Sequence, residues 1–156
     1  MLKNDRIEIL DYTDEFKDQV KALNYEWLEK YFYIEEEDKR ILSNLKEQII
    51  DKGGMIFLVR MDGKIVGTVS LIKMTEQIFE LTKMAVIPEA QGAGIGNILV
   101  KHCLNVAKQK SIKKLILYSN TKLKAAIHLY RKYGFREVEL EKGNYERTNI
   151  KMERIV

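Results

Sequence analysis

One stretch near the middle of the chain limits its fold more than any other. Residues Ile78 to Ile87 alternate apolar and polar side chains as a half-buried strand does, and Pro88, which lacks an N–H and fixes φ, stops the run. Gln91, Gly92, Ala93, Gly94, Ile95 and Gly96 follow, and from there Ile95, Ile98, Leu99, Val106 and Ala107 fall on one helical face. Strand, glycine loop and helix in that order require an α/β arrangement in which the helix returns over the sheet.

The flanks extend this pattern. Ile7 to Leu10 reads as a short strand, and Asp14 to Lys30 as an amphipathic helix carrying Phe16, Val20, Leu23 and Trp27. A second helix is expected through Ile41, Leu42, Leu45 and Ile49, ending at Gly53 and Gly54. Met55 to Arg60 and Lys64 to Lys73 are β-rich runs joined by Met61, Asp62 and Gly63, a pairing suited to a tight hairpin turn. Leu115 to Tyr118 adds a buried strand, Leu123 to Tyr133 a helix stopped by Gly134, and Arg136 to Leu140 and Thr148 to Ile155 close the sheet. The expectation is an α/β (α+β) fold: a mixed, mostly antiparallel sheet of about six or seven strands with helices on both faces. With 156 residues, 46% of them apolar, residues 1–156 suffice for one core and one domain.

Charge and cysteine usage narrow the function. The 27 basic and 23 acidic residues are interspersed, so a net charge of +4 and a pI near 9.0 come without a basic stripe, and no nucleic-acid partner is expected despite the pairs Lys113, Lys114 and Arg131, Lys132. No apolar run approaches the ~20 residues of a membrane-spanning helix, so no membrane partner is expected. Cys103 is the single cysteine, which forbids an internal disulfide and suits a cytoplasmic, reducing setting. His102 and His128 lack acidic or cysteine companions at ligand spacing, so no metal is expected.

Glycines at alternate positions between a strand and a helix let the backbone turn tightly and leave free N–H groups pointing one way at the positive end of the helix dipole, a combination suited to phosphate oxygens. A Walker-type loop would need Gly-Lys-Ser/Thr where the chain has Gly96, Asn97 and Ile98, which excludes it. A dinucleotide fingerprint would need glycine at Asn97 and an acid near Leu115 to Leu117, and fits poorly.

The loop resembles that of the GNAT superfamily of N-acetyltransferases: Gln or Arg, two residues, Gly, one residue, Gly or Ala, matched here by Gln91, Gly94 and Gly96. The resemblance continues upstream through Met84, Ala85, Val86 and Pro88, and downstream through Ala126, Leu129, Tyr130, Gly134 and Phe135. It implies a GNAT-like fold and transfer of an acetyl group from acetyl-CoA to a primary amine, on a small molecule or on a peptide, by direct attack in a ternary complex. It further implies that Gly92 to Asn97, including Ala93, Gly94, Ile95 and Gly96, bind the coenzyme A diphosphate, and that Met84, Ala85 and Val86 hold the pantetheine arm as an added strand would. A coenzyme A-binding sensor without catalysis is the alternative, and a homodimer is compatible with either reading.

In the family the tyrosine before the Gly-Phe pair serves the leaving sulfur, which points to Tyr130; by periodicity alone Tyr130 reads as a packed helix residue beside Ile127 and Leu123. Glu80 stands where some members keep a general base, and by pattern is a half-exposed strand glutamate. Many members have Asn where this chain has Leu123, so Asn120 either takes over the pantetheine contact or caps the next helix. The cluster Trp27, Tyr31, Phe32, Tyr33 with Glu35 to Asp38 reads as a packed turn and solvated helix start, or as an entrance for a cationic amine; Tyr145 and Arg147 are candidates to face the acceptor.

Overall fold

The computed structural model describes residues 6–141 and 145–156. Its sheet has seven strands: β1 (Ile7–Asp11), β2 (Met55–Met61), β3 (Lys64–Lys73), β4 (Ile78–Val86), β5 (Lys114–Ser119), β6 (Arg136–Val138) and β7 (Ile150–Ile155). They lie in the order β1-β2-β3-β4-β5-β7-β6, and only β4 and β5 run parallel. The helices are α1 (Lys17–Tyr31), α2 (Glu36–Leu42), α3 (Ile95–Gln109) and α4 (Lys124–Lys132). The architecture is the mixed α/β sheet with helices on both faces that the sequence implies.

Strand alternation divides the apolar residues between two cores. Phe57 and Val59 of β2 join Val69, Leu71, Leu81, Leu115, Leu117 and Met152 under Leu99, Val100, Cys103 and Ala107 of α3, with Tyr130 of α4. Ile56 and Leu58, one residue out of phase, turn to the opposite face and meet Val20 and Leu28 of α1 and Ile41 and Leu42 of α2. Each such leucine or isoleucine contributes about 1.5–3 kcal/mol on burial, so the period-2 pattern fixes which helices cover which face.

Two expected helices are shorter than the sequence pattern. The first opens as a 3-10 turn over Asp14–Phe16, closed by the Phe16 N–H on the Thr13 carbonyl at 2.9 Å, before α1 starts at Lys17. The second breaks after Leu42, where the Asn44 side chain donates to the Arg40 carbonyl at 2.9 Å and competes with the backbone ladder. A π-turn over Lys46–Ile50 completes it, and Leu45 and Ile49 still reach the core.

Two irregularities shape the centre of the sheet. β5 pairs with β4 only at Ile78, Phe79 and Glu80, so from Leu81 onward that edge of β4 has no strand partner. On the other edge, the pairing with β3 steps from Ser70–Thr82 to Thr68–Ala85, placing Lys83 and Met84 opposite Val69 in a bulge with Lys83 at φ 55°.

Candidate active site

Where β4 and β5 part, a groove of about 970 Å³ opens between α1, the loop before α3, α4 and the segment before β7. The loop is held by the Gln91 side chain, which donates to the Val86 carbonyl at 3.3 Å, and by short-range bonds from the Gln91 and Ala93 amides to the Pro88 and Ala90 carbonyls. Gly92 and Gly94 have φ of +87° and +83°, a region an L side chain adopts with strain, and a Cβ on either would meet nothing within 4 Å. The amides of Gly92, Gly94, Ile95, Gly96 and Asn97 have no hydrogen-bond acceptor among the described residues. Together with the α3 dipole they form a cradle suited to a phosphate group.

Tyr130 of α4 lines the groove with 7% of its surface exposed, its ring tilted against Phe135 at a centroid distance of 5.9 Å. Burial pushes its pKa well above that of an ordinary phenol. Its hydroxyl has no partner among the described residues, and is not among the fully enclosed polar atoms left unpaired, where Ser70 Oγ stands. The neutral phenol therefore keeps an O–H to offer to a ligand in the groove.

Most of the sequence-predicted site residues meet here: Met84, Val86, Gln91, Gly92, Gly94, Ile95, Gly96, Asn97, Asn120 and Tyr130 all line the groove. Three are placed elsewhere. The Ala85 side chain points into the main core, the Ala93 amide is occupied by the Ala90 carbonyl, and Glu80 lies on the strand face opposite Phe79 and Leu81, outside the groove lining. Burial raises the Glu80 pKa to about 7, against the opposing pull of Lys83, Thr82 and Lys151. Asn120 is not the cap of α4, which begins at Lys124. Its Oδ1 accepts the Lys122 amide at 2.9 Å in a tight local turn and its Nδ2 donates to the Arg147 carbonyl at 2.7 Å, leaving one amide hydrogen free.

The far wall contains residues that single-sequence reasoning placed only loosely. Trp27 stacks obliquely on Tyr31 and Phe32 at 5.1 and 5.9 Å, and all three line the groove. Asp38 is fully buried and paired with Lys83 at 3.0 Å and Arg147 at 2.8 Å. Burial alone would raise its pKa, yet Arg147 and Lys83 hold it below the ordinary carboxylate value; burial lowers that of Lys83. Lys122 on the β5–α4 connection, Lys124 at the start of α4, and Lys132 bonded to Asn97 Oδ1 at 2.9 Å are groove residues that the sequence pattern does not mark. Each is ordinary helix-flanking lysine in sequence, with only the pair Arg131, Lys132 hinting at phosphate.

Among the described residues no group of three His, Cys, Asp or Glu is placed to hold a metal ion, and no helix is long and apolar enough to cross a membrane. His102 packs edge-on against Phe57 at 4.5 Å, and Cys103 is buried with its thiol pKa pushed up by burial.

Comparison with known proteins decides the family. Residues 20–135 match the model of the acetyltransferase (GNAT) family. The chain belongs to that family. An uncharacterised N-acetyltransferase of Methanocaldococcus jannaschii is 28% identical over 125 residues, 76% of this chain and 54% of that protein. The ribosomal protein bS18-alanine N-acetyltransferase of Escherichia coli is 24% identical over 96% of this chain and 91% of its own length. The chain spans about half the length of the M. jannaschii relative and less of the mycothiol acetyltransferases it also matches. The GNAT fold is shared with an acetyltransferase of Staphylococcus aureus at a TM-score of 0.87 and 23% identity, covering 96% of this chain and 99% of that one. It is shared too with the PaiA N-acetyltransferase of Thermoplasma acidophilum, solved in complex with coenzyme A, at 0.77 and 19% identity, over 97% and 99% of the two chains.

Proposed function

We propose that this GNAT protein transfers the acetyl group of acetyl-CoA to a primary amine by direct attack within a ternary complex. The observation that carries the reading is the coincidence, in one groove, of an unpartnered β4 edge with the unpaired amides of Gly92 and of Gly94 to Asn97. An extended amide-bearing arm suits the first and a diphosphate the second. Lys132, bonded to Asn97 at the cradle, and Lys124 elsewhere in the groove lining add charge of the required sign. Acetyl-CoA supplies the activated acyl group; everything else is the work of the chain.

Amine attack forms an N–C bond as the C–S bond breaks, so charge develops first on the carbonyl oxygen and then on sulfur. Backbone N–H groups of the β4 bulge around Met84 and Ala85 are the proposed donors to the oxygen. Tyr130 donates a hydrogen bond to the departing thiolate. Full transfer of its proton to a thiolate whose conjugate thiol has a pKa of ~8.5 is uphill by more than about 2 kcal/mol, because burial lifts the phenol above ~10. The proton lost by the amine passes through water to Glu80, whose pKa of about 7 makes it a usable base at neutral pH although it stands outside the groove.

The test is calorimetry with acetyl-CoA followed by thiol release against a panel of amines. Binding with turnover supports the proposal; binding with no turnover on any amine favours the non-catalytic sensor, and no heat removes both.

A further inference from the structure

The acceptor side of the groove has an uneven charge balance. Apart from Lys124 at the start of α4 and Lys132, which bonds Asn97 of the amide cradle, the charged residues lining the groove are Lys30, Lys83, Lys122, Arg147 and Asp38. Four cations face one lining carboxylate; with Asp38 and Glu35 set against Lys83 and Arg147, Lys30 and Lys122 are left as two positive charges without a carboxylate partner among the described residues. Glu35 bonds Arg147 at 3.3 Å and Glu146 bonds Tyr33 at 2.9 Å, but neither lines the groove.

The one carboxylate has no capacity left for a ligand. Asp38 Oδ1 accepts from Lys83 Nζ at 3.0 Å and Arg147 Nη2 at 2.8 Å, and Oδ2 from Arg147 Nη1 at 2.8 Å and the Glu35 amide at 2.9 Å. Four donors fill the sites an ionised carboxylate offers, so Asp38 cannot take a substrate ammonium. The donors, by contrast, are not exhausted. Lys122 Nζ gives one hydrogen to the Tyr31 carbonyl at 2.9 Å, lies over the Phe32 ring at 4.1 Å, and keeps two. Arg147 keeps its Nε–H and one Nη2–H unpaired among the described residues.

We propose that the acceptor is an amine carrying a carboxylate close by, as a free amino acid or the acidic start of a peptide, and that Lys122 and Arg147 hold that carboxylate. The inference rests on the acetyl-transfer reading above and names its substrate class. It also serves the chemistry. Attack requires the neutral amine, and surplus positive charge draws in the carboxylate while favouring loss of the proton from the neighbouring ammonium. A polyamine or lysine-rich tail, cationic throughout, finds no free carboxylate in the groove lining and is repelled by Lys30 and Lys122.

The test titrates glutamate, aspartyl-glutamate amide and putrescine into the protein, with and without saturating coenzyme A, by calorimetry. At least one carboxylate-bearing amine is expected to bind about ten-fold or more tightly than putrescine, with an advantage that shrinks as salt is added. The dipeptide-to-glutamate ratio tells a peptide acceptor from a free amino acid. Lys122 is exposed, so Lys122→Glu keeps the fold and is expected to cut the advantage about ten-fold, the Coulomb effect of reversing one charge several ångströms away in a solvated groove. Putrescine binding as well as the acids, heat from none of the three, or an unchanged preference in Lys122→Glu overturns the proposal. So does a fall in coenzyme A affinity alone in that variant, which would assign Lys122 to the cofactor phosphates. Failure of coenzyme A to bind sinks the acetyl-transfer reading, while the ranking of amines on the free protein still decides the acceptor class.

Discussion

Gly94→Ala separates the loop's structural demand from its binding role. Gly94 has φ +83° with nothing within 4 Å of an added Cβ. The substitution therefore brings backbone strain of about 1–2 kcal/mol and no steric clash in the protein itself. For a chain of this size that lowers the thermal midpoint by roughly 2–8 °C. Gly63, in the turn between β2 and β3, has the same φ of +83° and the same empty surroundings, but does not line the groove. Gly63→Ala should therefore match Gly94→Ala in stability and differ from it in binding. The methyl group at position 94 occupies space that the ligand needs, so coenzyme A affinity should fall by about ten-fold or more, or at least ~1.4 kcal/mol, while Gly63→Ala leaves it unchanged. Calorimetry with coenzyme A and thermal denaturation on both variants give the comparison. Equal affinities in the two would refute the assignment of the loop as the diphosphate cradle.

Tyr130→Phe keeps the packing on Phe135 and removes one hydroxyl, so turnover should drop by about 100-fold with acetyl-CoA affinity unchanged; steady-state kinetics set beside calorimetry check this. Glu80→Gln should remove the rise in rate with pH that centres near pH 7. Because the folded-state pKa of Glu80 is raised, its ionisation costs stability above its unfolded value of 4.5 and nothing below it. Glu80→Gln should therefore raise the melting temperature at pH 8, by up to about 3 kcal/mol in stability terms, with little effect at pH 4, as read from melts at both values. Asp38→Asn should strip Lys83 and Arg147 of their buried partner and cost about 3–5 kcal/mol, measured by urea denaturation.

The parts of the fold that the sequence shows are those governed by near neighbours. The Asp62-Gly63 turn, the alternation of β4 and the glycine loop before α3 are all readable within a few residues, and β2, β3, β4 and α3 follow from them. What could not be read depends on distant partners. Lys83 sits in an alternating run and gives no sign of a bulge; its conformation makes sense beside Asp38, 45 residues earlier, and Tyr145, 62 later. Asp38 looks like the last of four surface acids, yet two cations from other elements take it into the interior. Lys122 reaches back 91 residues to Tyr31, a contact that no local pattern encodes. Strand parity leaves Glu80 only partly buried, as the alternation implies, and its raised pKa comes from the burial that folding imposes. The glycine loop of the candidate site was thus legible as a local motif, whereas the opposite wall, assembled from α1, α2 and the stretch before β7, offered candidate residues one by one but not their arrangement.

Since only three residue pairs join β5 to β4, the seam between the two halves of the sheet is barely stitched by the polypeptide itself. An occupant that mends this seam becomes thermodynamically a part of the fold. Resistance to heat and to proteases should then rise with coenzyme concentration, gaining about 2.7 kcal/mol at a hundred times the dissociation constant. Amide hydrogens of Leu81 to Val86 would report the same repair as slowed exchange with solvent.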